Sequence, residues 1–227
     1  NGKSIFDYDN VYMDTKDYMF YYQHENKQDK RAKIRTRHYV DSSLGYFEFK
    51  QKEWKVIRKF RYECGPDNTG KMTNESMSFY YGVYQSLYGD APDHIIFPAV
   101  RNSYKRFTLC SKKNDERLTI DFDIELWDAR NPEAKPVKLQ NLVIIESKSN
   151  SNTCKSREIL KSRGIEDASG CSKYCLGLYY HHLVNSRNTF KDAISTIEAI
   201  RKAKDRESYK TEKTLNKMTP IAMGAST

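Results

Sequence analysis

Along most of this chain, apolar and polar residues alternate with a period of two. In residues 31–39, RAKIRTRHY, Ala32, Ile34 and Thr36 alternate with Lys33, Arg35 and Arg37. Successive side chains of a strand point to opposite faces, so three cations share one face and small or apolar groups share the other. The pattern returns in residues 44–52, where Phe47 and Phe49 oppose Glu48, Lys50 and Lys52, and in residues 55–64, where Lys59, Arg61 and Glu63 share a face. Further on, Arg117, Thr119, Asp121 and Asp123 alternate with Leu118, Ile120, Phe122 and Ile124, and Glu146 and Lys148 share a face. The alternation predicts strands over 7–15, 31–39, 44–52, 55–64, 99–111, 116–128 and 142–150.

Elsewhere the period lengthens. Residues 16–26 read as a short helix or turn. In 74–89, Met77, Tyr80, Tyr81 and Tyr84 recur at helical spacing, with Asn74 as N-cap and Gly89 as stop. Residues 156–164, 171–183 and 190–205 read as helices, and Tyr174, Leu178 and His181 or His182 form the core face of the second. VDSS and GPDNTG are turn signals. Residues 1–205 are expected to form one domain, and the polar tail 206–227, which lacks an apolar stripe, to be disordered. The predicted fold class is α+β, with antiparallel strands first and helices toward the end.

A solvated outer face explains one strand of this kind. Five such strands point to a closed antiparallel barrel, which alternates inward and outward residues along every strand. Burying that many cations dry is prohibitive. A water-filled tunnel that admits a polyanion avoids the cost. The net charge of +9 agrees with an anionic partner, and 17 Tyr and 10 Phe can build the walls.

Other classes recede. The five cysteines are odd in number and scattered, as reduced thiols are. Cys171 and Cys175, four apart, and the pair His181–His182 lack the partners of a zinc site. No apolar run approaches the roughly 20 residues of a membrane span, and no signal-peptide pattern opens the sequence. A cytoplasmic domain is expected, membrane-associated only through a partner subunit or fused segment. The aromatics read as lying on helices or on faces opposite the cations, so a nucleic-acid partner is not expected. No Gly-rich P-loop reports nucleotide specificity.

The stretches VYMDTKDYMFYYQH, KIRTRHY, YFEFKQK, VRNSYKR, RLTIDFD, IIESKS and CSKYCLGL occur in one order from Val11 to Leu183. This ordered set resembles the VTC domain, the polyphosphate polymerase domain of the vacuolar transporter chaperone family, within the class of triphosphate tunnel enzymes. The resemblance implies a tunnel of eight antiparallel strands that binds ATP, triphosphate or polyphosphate. It implies phosphate contacts from Arg35, Arg37, Lys50, Lys59, Arg61, Arg101, Arg106, Arg117 and Lys148, and from Ser172 and Lys173 at the start of the closing helix. Lys33 shares the face of Arg35 and Arg37 and joins them. Glu146 matches the family's metal-binding Glu, for Mn²⁺ or Mg²⁺, with Glu48, Asp121 and Asp123 as candidate helpers or as orienters of a neighbouring arginine. The family's basic first strand has no counterpart ahead of VYMDT, and Gly170 and Cys171 stand where some members carry a basic residue.

The implied activity is transfer of the ATP γ-phosphate to a growing polyphosphate chain. A triphosphatase of the same architecture and a non-catalytic polyphosphate or inositol phosphate sensor are the alternatives. Lys173, in the first turn of its helix, is a cation at a positive helix end and calls for an anion from outside.

Overall fold

Eight strands pair into one antiparallel sheet: β1 Ile5–Asp14, β2 Lys30–Tyr39, β3 Leu44–Glu53, β4 Val56–Glu63, β5 Phe97–Cys110, β6 Arg117–Asp128, β7 Val137–Leu139 and β8 Ile144–Lys148. The computed structural model describes residues 2–113, 115–149, 154–165, 167–168, 172–185 and 188–202. The expected tail 206–227, Gly170 and Cys171 lie outside them. The strand order is β4-β3-β2-β1-β5-β6, and β7 and β8 both pair with β6. β7 lies opposite Ile124–Leu126 and β8 opposite Arg117–Asp121.

The sheet curls without closing into a ring, where a closed tunnel was expected. The expected strand 142–150 is shorter, and with β7 it shares the edge of β6, so two strands occupy one position of the curl. The direction of the curl follows from its charges. Lys148 of β8 repels Lys50 of β3 and Lys59 of β4, although β2, β1, β5 and β6 separate the strands in the pairing order. The charged face is therefore the inside.

Two apolar cores fix this shape. Helix α2, after α1 (Met19–Glu25), spans Asn74–Tyr88 and covers the outside of β1–β3. There Val11, Met13, Ile34, Phe47, Phe49 and Tyr80 are buried together. The cap of α2 is Thr73 rather than Asn74: its hydroxyl accepts from the Ser76 amide at 3.2 Å. Gly89 ends the helix at φ 93°, a conformation that costs a glycine little.

The second core lies inside the curl. After α3 (Lys155–Ser162), helix α4 spans Lys173–Tyr180, and α5 occupies 191–202. Tyr174, Leu176 and Leu178 of α4 pack with Val100, Tyr104, Ile124 and Leu126, and Tyr21, Ile194 and Ile197 join from α1 and α5. Burial runs from Tyr174 through Leu178 without a gap, broader than the expected stripe. Gly177 lets α4 lie directly on β5, because a Cβ there would overlap the Val100 side chain.

One carboxylate joins the parts. Asp14, fully buried at the end of β1, accepts from the amides of Thr15, Phe20 and Tyr21 at 2.7, 2.9 and 2.9 Å, and from the Tyr174 hydroxyl. It satisfies the first turn of α1 and pins α4 at once. Burial raises its pKa, against the pull of these four donors.

Candidate functional site

Register sets the charged residues in rows across the inside of the curl. Lys33, Lys50 and Lys59 lie side by side on β2, β3 and β4. Arg35, Glu48 and Arg61 form the next row, followed by Asn10, Arg37, Tyr46 and Glu63. On the facing wall Arg106 stands opposite Asp121, Thr119 opposite Glu146, and Arg117 opposite Lys148.

Each carboxylate of this groove that lies beside an arginine holds it in place. Glu48 receives Arg35 at 2.5 and 2.6 Å, and Arg35 also donates to the Tyr12 hydroxyl at 2.9 Å. Arg37 donates to Asn10 at 2.9 Å. Asp121, only 3% exposed in its side chain, takes a bidentate fork from Arg106 at 2.6 and 2.7 Å and a bond from Lys173. Glu146 pairs with Lys148 at 3.1 Å and is half exposed. These pairs leave out Lys33, Lys50, Lys59, Arg61 and Arg117, which form no salt bridge among the described residues.

The electrostatics reflect this surplus. Burial raises the Glu48 carboxyl, but Arg35 and Arg37 outweigh it and hold it below the usual range. Burial likewise raises the Asp121 carboxyl, but Arg106 and Lys173 outweigh it and hold it low. Glu146 is also low, with burial opposed mainly by Lys148. Burial, then Lys33, Lys59 and Lys148, lowers the Lys50 ammonium; burial also lowers Lys148, with Arg117 and Lys59 adding to it. The Tyr12 phenol, raised by burial, is brought below its ordinary value by Arg35, Lys33 and Arg37. The two lysines Lys50 and Lys148 are driven toward their neutral forms and the acids toward their charged ones, as expected where positive charge exceeds negative, while Arg35 and Arg106, beside Glu48 and Asp121, are held more firmly charged.

Several expectations need correction. Arg101 lies on the outer face, in a fork to Asp9 at 2.7–3.1 Å and 4.9 Å above Trp127. It is five residues from Arg106, so the two differ in parity and point to opposite faces. Asp123 also lies outside, 3.0 Å from Lys105. Its left-handed backbone (φ 51°) accompanies a register shift against β5, a bulge that returns Ile124 and Leu126 to the inner face. Neither Asp123 nor the locked Asp121 and Glu48 stands ready to help Glu146 hold a metal. Lys173 has its anion inside the protein, in Asp121, and lies 4.4 Å from the Tyr104 ring. Ser172 occupies the N-cap of α4 without a side-chain capping bond.

The aromatics also fall differently. Tyr8, Tyr39, Tyr46 and Tyr104 cross β1, β2, β3 and β5 on the charged face. Arg37 lies 5.6 Å from the Tyr8 ring, Arg61 4.8 Å from Tyr46 and Arg106 5.2 Å from Tyr104. The rings back the guanidinium planes and hold them apart. Parity could have found them: Tyr39 continues the series of Arg35 and Arg37, and Tyr46 that of Glu48 and Lys50.

No cluster of three or more potential metal ligands occurs among the described residues. Glu146, outside any arginine fork, is a hard oxygen donor suited to Mg²⁺ or Mn²⁺, which bind through one or two carboxylates when substrate phosphates supply the rest.

A sequence model of the VTC domain matches residues 2–182. No curated protein matches the chain. Among solved structures, a candidate adenylate cyclase from Bacillus halodurans is 12% identical over 76% of this chain and 82% of its own, with a TM-score of 0.44. A candidate adenylyl cyclase from Hippeastrum, described as having a dominant triphosphatase activity, is 14% identical over 78% and 84%, with a TM-score of 0.43.

Proposed function

The chain belongs to the VTC domain family, and from that premise we propose that its groove binds a polyphosphate chain and transfers the γ-phosphate of ATP to it, releasing ADP. One observation carries the reading: Lys33, Lys50, Lys59, Arg61 and Arg117 face the groove without a salt-bridge partner among the described residues. Exposed cations massed on one face repel one another and attract an anion of several charges.

The roles divide by chemistry. Arg35, Arg37 and Arg106 are held by Glu48, Asn10 and Asp121, so their remaining N–H groups can meet phosphate oxygens in fixed directions. Lys33, Lys50, Lys59 and Lys148 add compact charge along the polymer. Lys173 and Ser172 lie where α4 meets the groove. A Mn²⁺ or Mg²⁺ ion, bound by Glu146 and phosphate oxygens, would neutralise charge on the transferred group.

The lowered carboxyls favour transfer over hydrolysis. A triphosphatase needs a base to activate water, whereas Glu48 and Asp121 are bound to arginine with depressed pKa values, which makes them weak bases. A terminal phosphate acceptor is already an oxyanion and needs none. Incubation with ATP and Mn²⁺, followed by separate assays of polyphosphate, ADP and free phosphate, tests this. Polymer with ADP is expected. Free phosphate alone would assign a hydrolase, and tight triphosphate binding without turnover a sensor.

A further inference from the structure

The β3–β4 hairpin carries an apolar tip that no core claims. Trp54 is 70% exposed, Val56 52% and Ile57 50%. Trp54 also adopts a left-handed backbone, φ 52°, which glycine or asparagine takes far more readily. A bulky indole at a strained, exposed turn position contributes little to the fold. Ile95 and Phe97, also exposed, stand at the same end of the sheet, where β1 ends and β2 begins. Around the tip lie Lys52, Lys55 and Arg58, while the one acid of the turn, Glu53, is paired with Arg58 at 2.7 Å and Lys30 at 3.8 Å.

We propose that this end of the sheet docks on an anionic bilayer, with the Trp54 indole seated among the lipid headgroups. Indole is the side chain best matched to that interface, and flanking cations add attraction to acidic lipids. Protein partners are commonly met by a continuous apolar surface, whereas here apolar and cationic residues alternate around a narrow projection. The turn itself is hydrogen-bonded: the Trp54 amide donates to the Asp29 carbonyl at 3.0 Å, and Glu53 pairs with Val56. The proposal is independent of the chemistry in the groove.

The test is co-sedimentation of the full chain with vesicles of phosphatidylcholine alone or with about 30% phosphatidylserine. Trp127→Phe leaves Trp54 as the only indole, so its emission reports the tip. Binding should require phosphatidylserine, weaken at high salt and shift the emission to the blue. Trp54→Ala should reduce binding about tenfold or more, and Lys55→Glu should also reduce it. Saturating triphosphate should not release the protein, and Trp54→Ala should bind triphosphate as wild type does. Binding unchanged by Trp54→Ala, or lost on adding triphosphate, would assign the attraction to the groove and overturn the proposal. No binding at all, or a Trp54-dependent dimer without vesicles, would overturn it as well.

Discussion

Asp121 holds two cations that face the groove, and what each does can be separated. Lys173→Ala leaves Asp121 in its fork with Arg106, so the protein should fold. It should lose a charge-assisted contact of roughly 1.5–3 kcal/mol and bind triphosphate on the order of tenfold more weakly. The loss should shrink at high salt, as seen by titration calorimetry at two ionic strengths. Wild-type affinity would reduce Lys173 to an anchor of α4. A second residue sets a pH limit. Burial, with Lys33 next, pushes the His24 imidazole down to about 3, while its Nε2 lies 3.2 Å from the Ala32 carbonyl. The unfolded chain, with an ordinary histidine pKa of about 6.5, binds more protons between these values, so stability falls as pH drops through that window. His24 retains some exposure, which reduces the full linkage of about 1.4 kcal/mol per pH unit. Between pH 7 and 5 the expected loss is about 1 kcal/mol by urea midpoint, and His24→Gln should remove most of it.

At the scale of elements, the strands were legible because alternation reports which face is buried. Parity also placed Lys33, Arg35, Arg37, Lys50, Lys59 and Arg61 together. It failed where local geometry resets the count. The bulge at Asp123 has no signal in RLTIDFDIELWD, and the short Val137–Leu139 strand is too brief to show a period. Sequence alone reads Glu48 and Asp121 either as metal helpers or as orienters of a neighbouring arginine, because it cannot show that Arg35 and Arg106 lie across the strand from them. Helix α4 was legible as a helix, but not its distance from the sheet. That distance depends on Gly177. Gly177→Ala should push α4 off Val100, lower the melting temperature by several degrees and weaken triphosphate binding by moving Lys173. Val100→Ala in the same chain should restore binding toward wild type by making room for the new methyl. If the double variant binds no better than the single one, the seat of α4 does not control the site.

At the scale of the molecule, the groove is a reservoir of repulsion that a ligand relieves. Lys50 and Lys148 have depressed ammonium pKa values in the free protein. A bound polyanion favours their charged forms, so binding near pH 9 should take up protons and tighten as pH falls toward 7. Titrations in buffers of different ionisation enthalpy would measure that uptake; none at pH 9 would mean that neither lysine meets the ligand. The Asp14–Tyr174 bond has a different consequence, in the order of assembly. It joins residues 160 positions apart, and closing so long a loop costs entropy before any contact repays it. The curl of β1–β4 and α2 can form first, with α4 docking after the main barrier has been crossed. Tyr174→Phe leaves Asp14 its three backbone donors. It should therefore speed unfolding by about tenfold while leaving the folding rate nearly unchanged, a φ-value near zero in stopped-flow measurements. A shifted folding arm would place α4 in the nucleus instead.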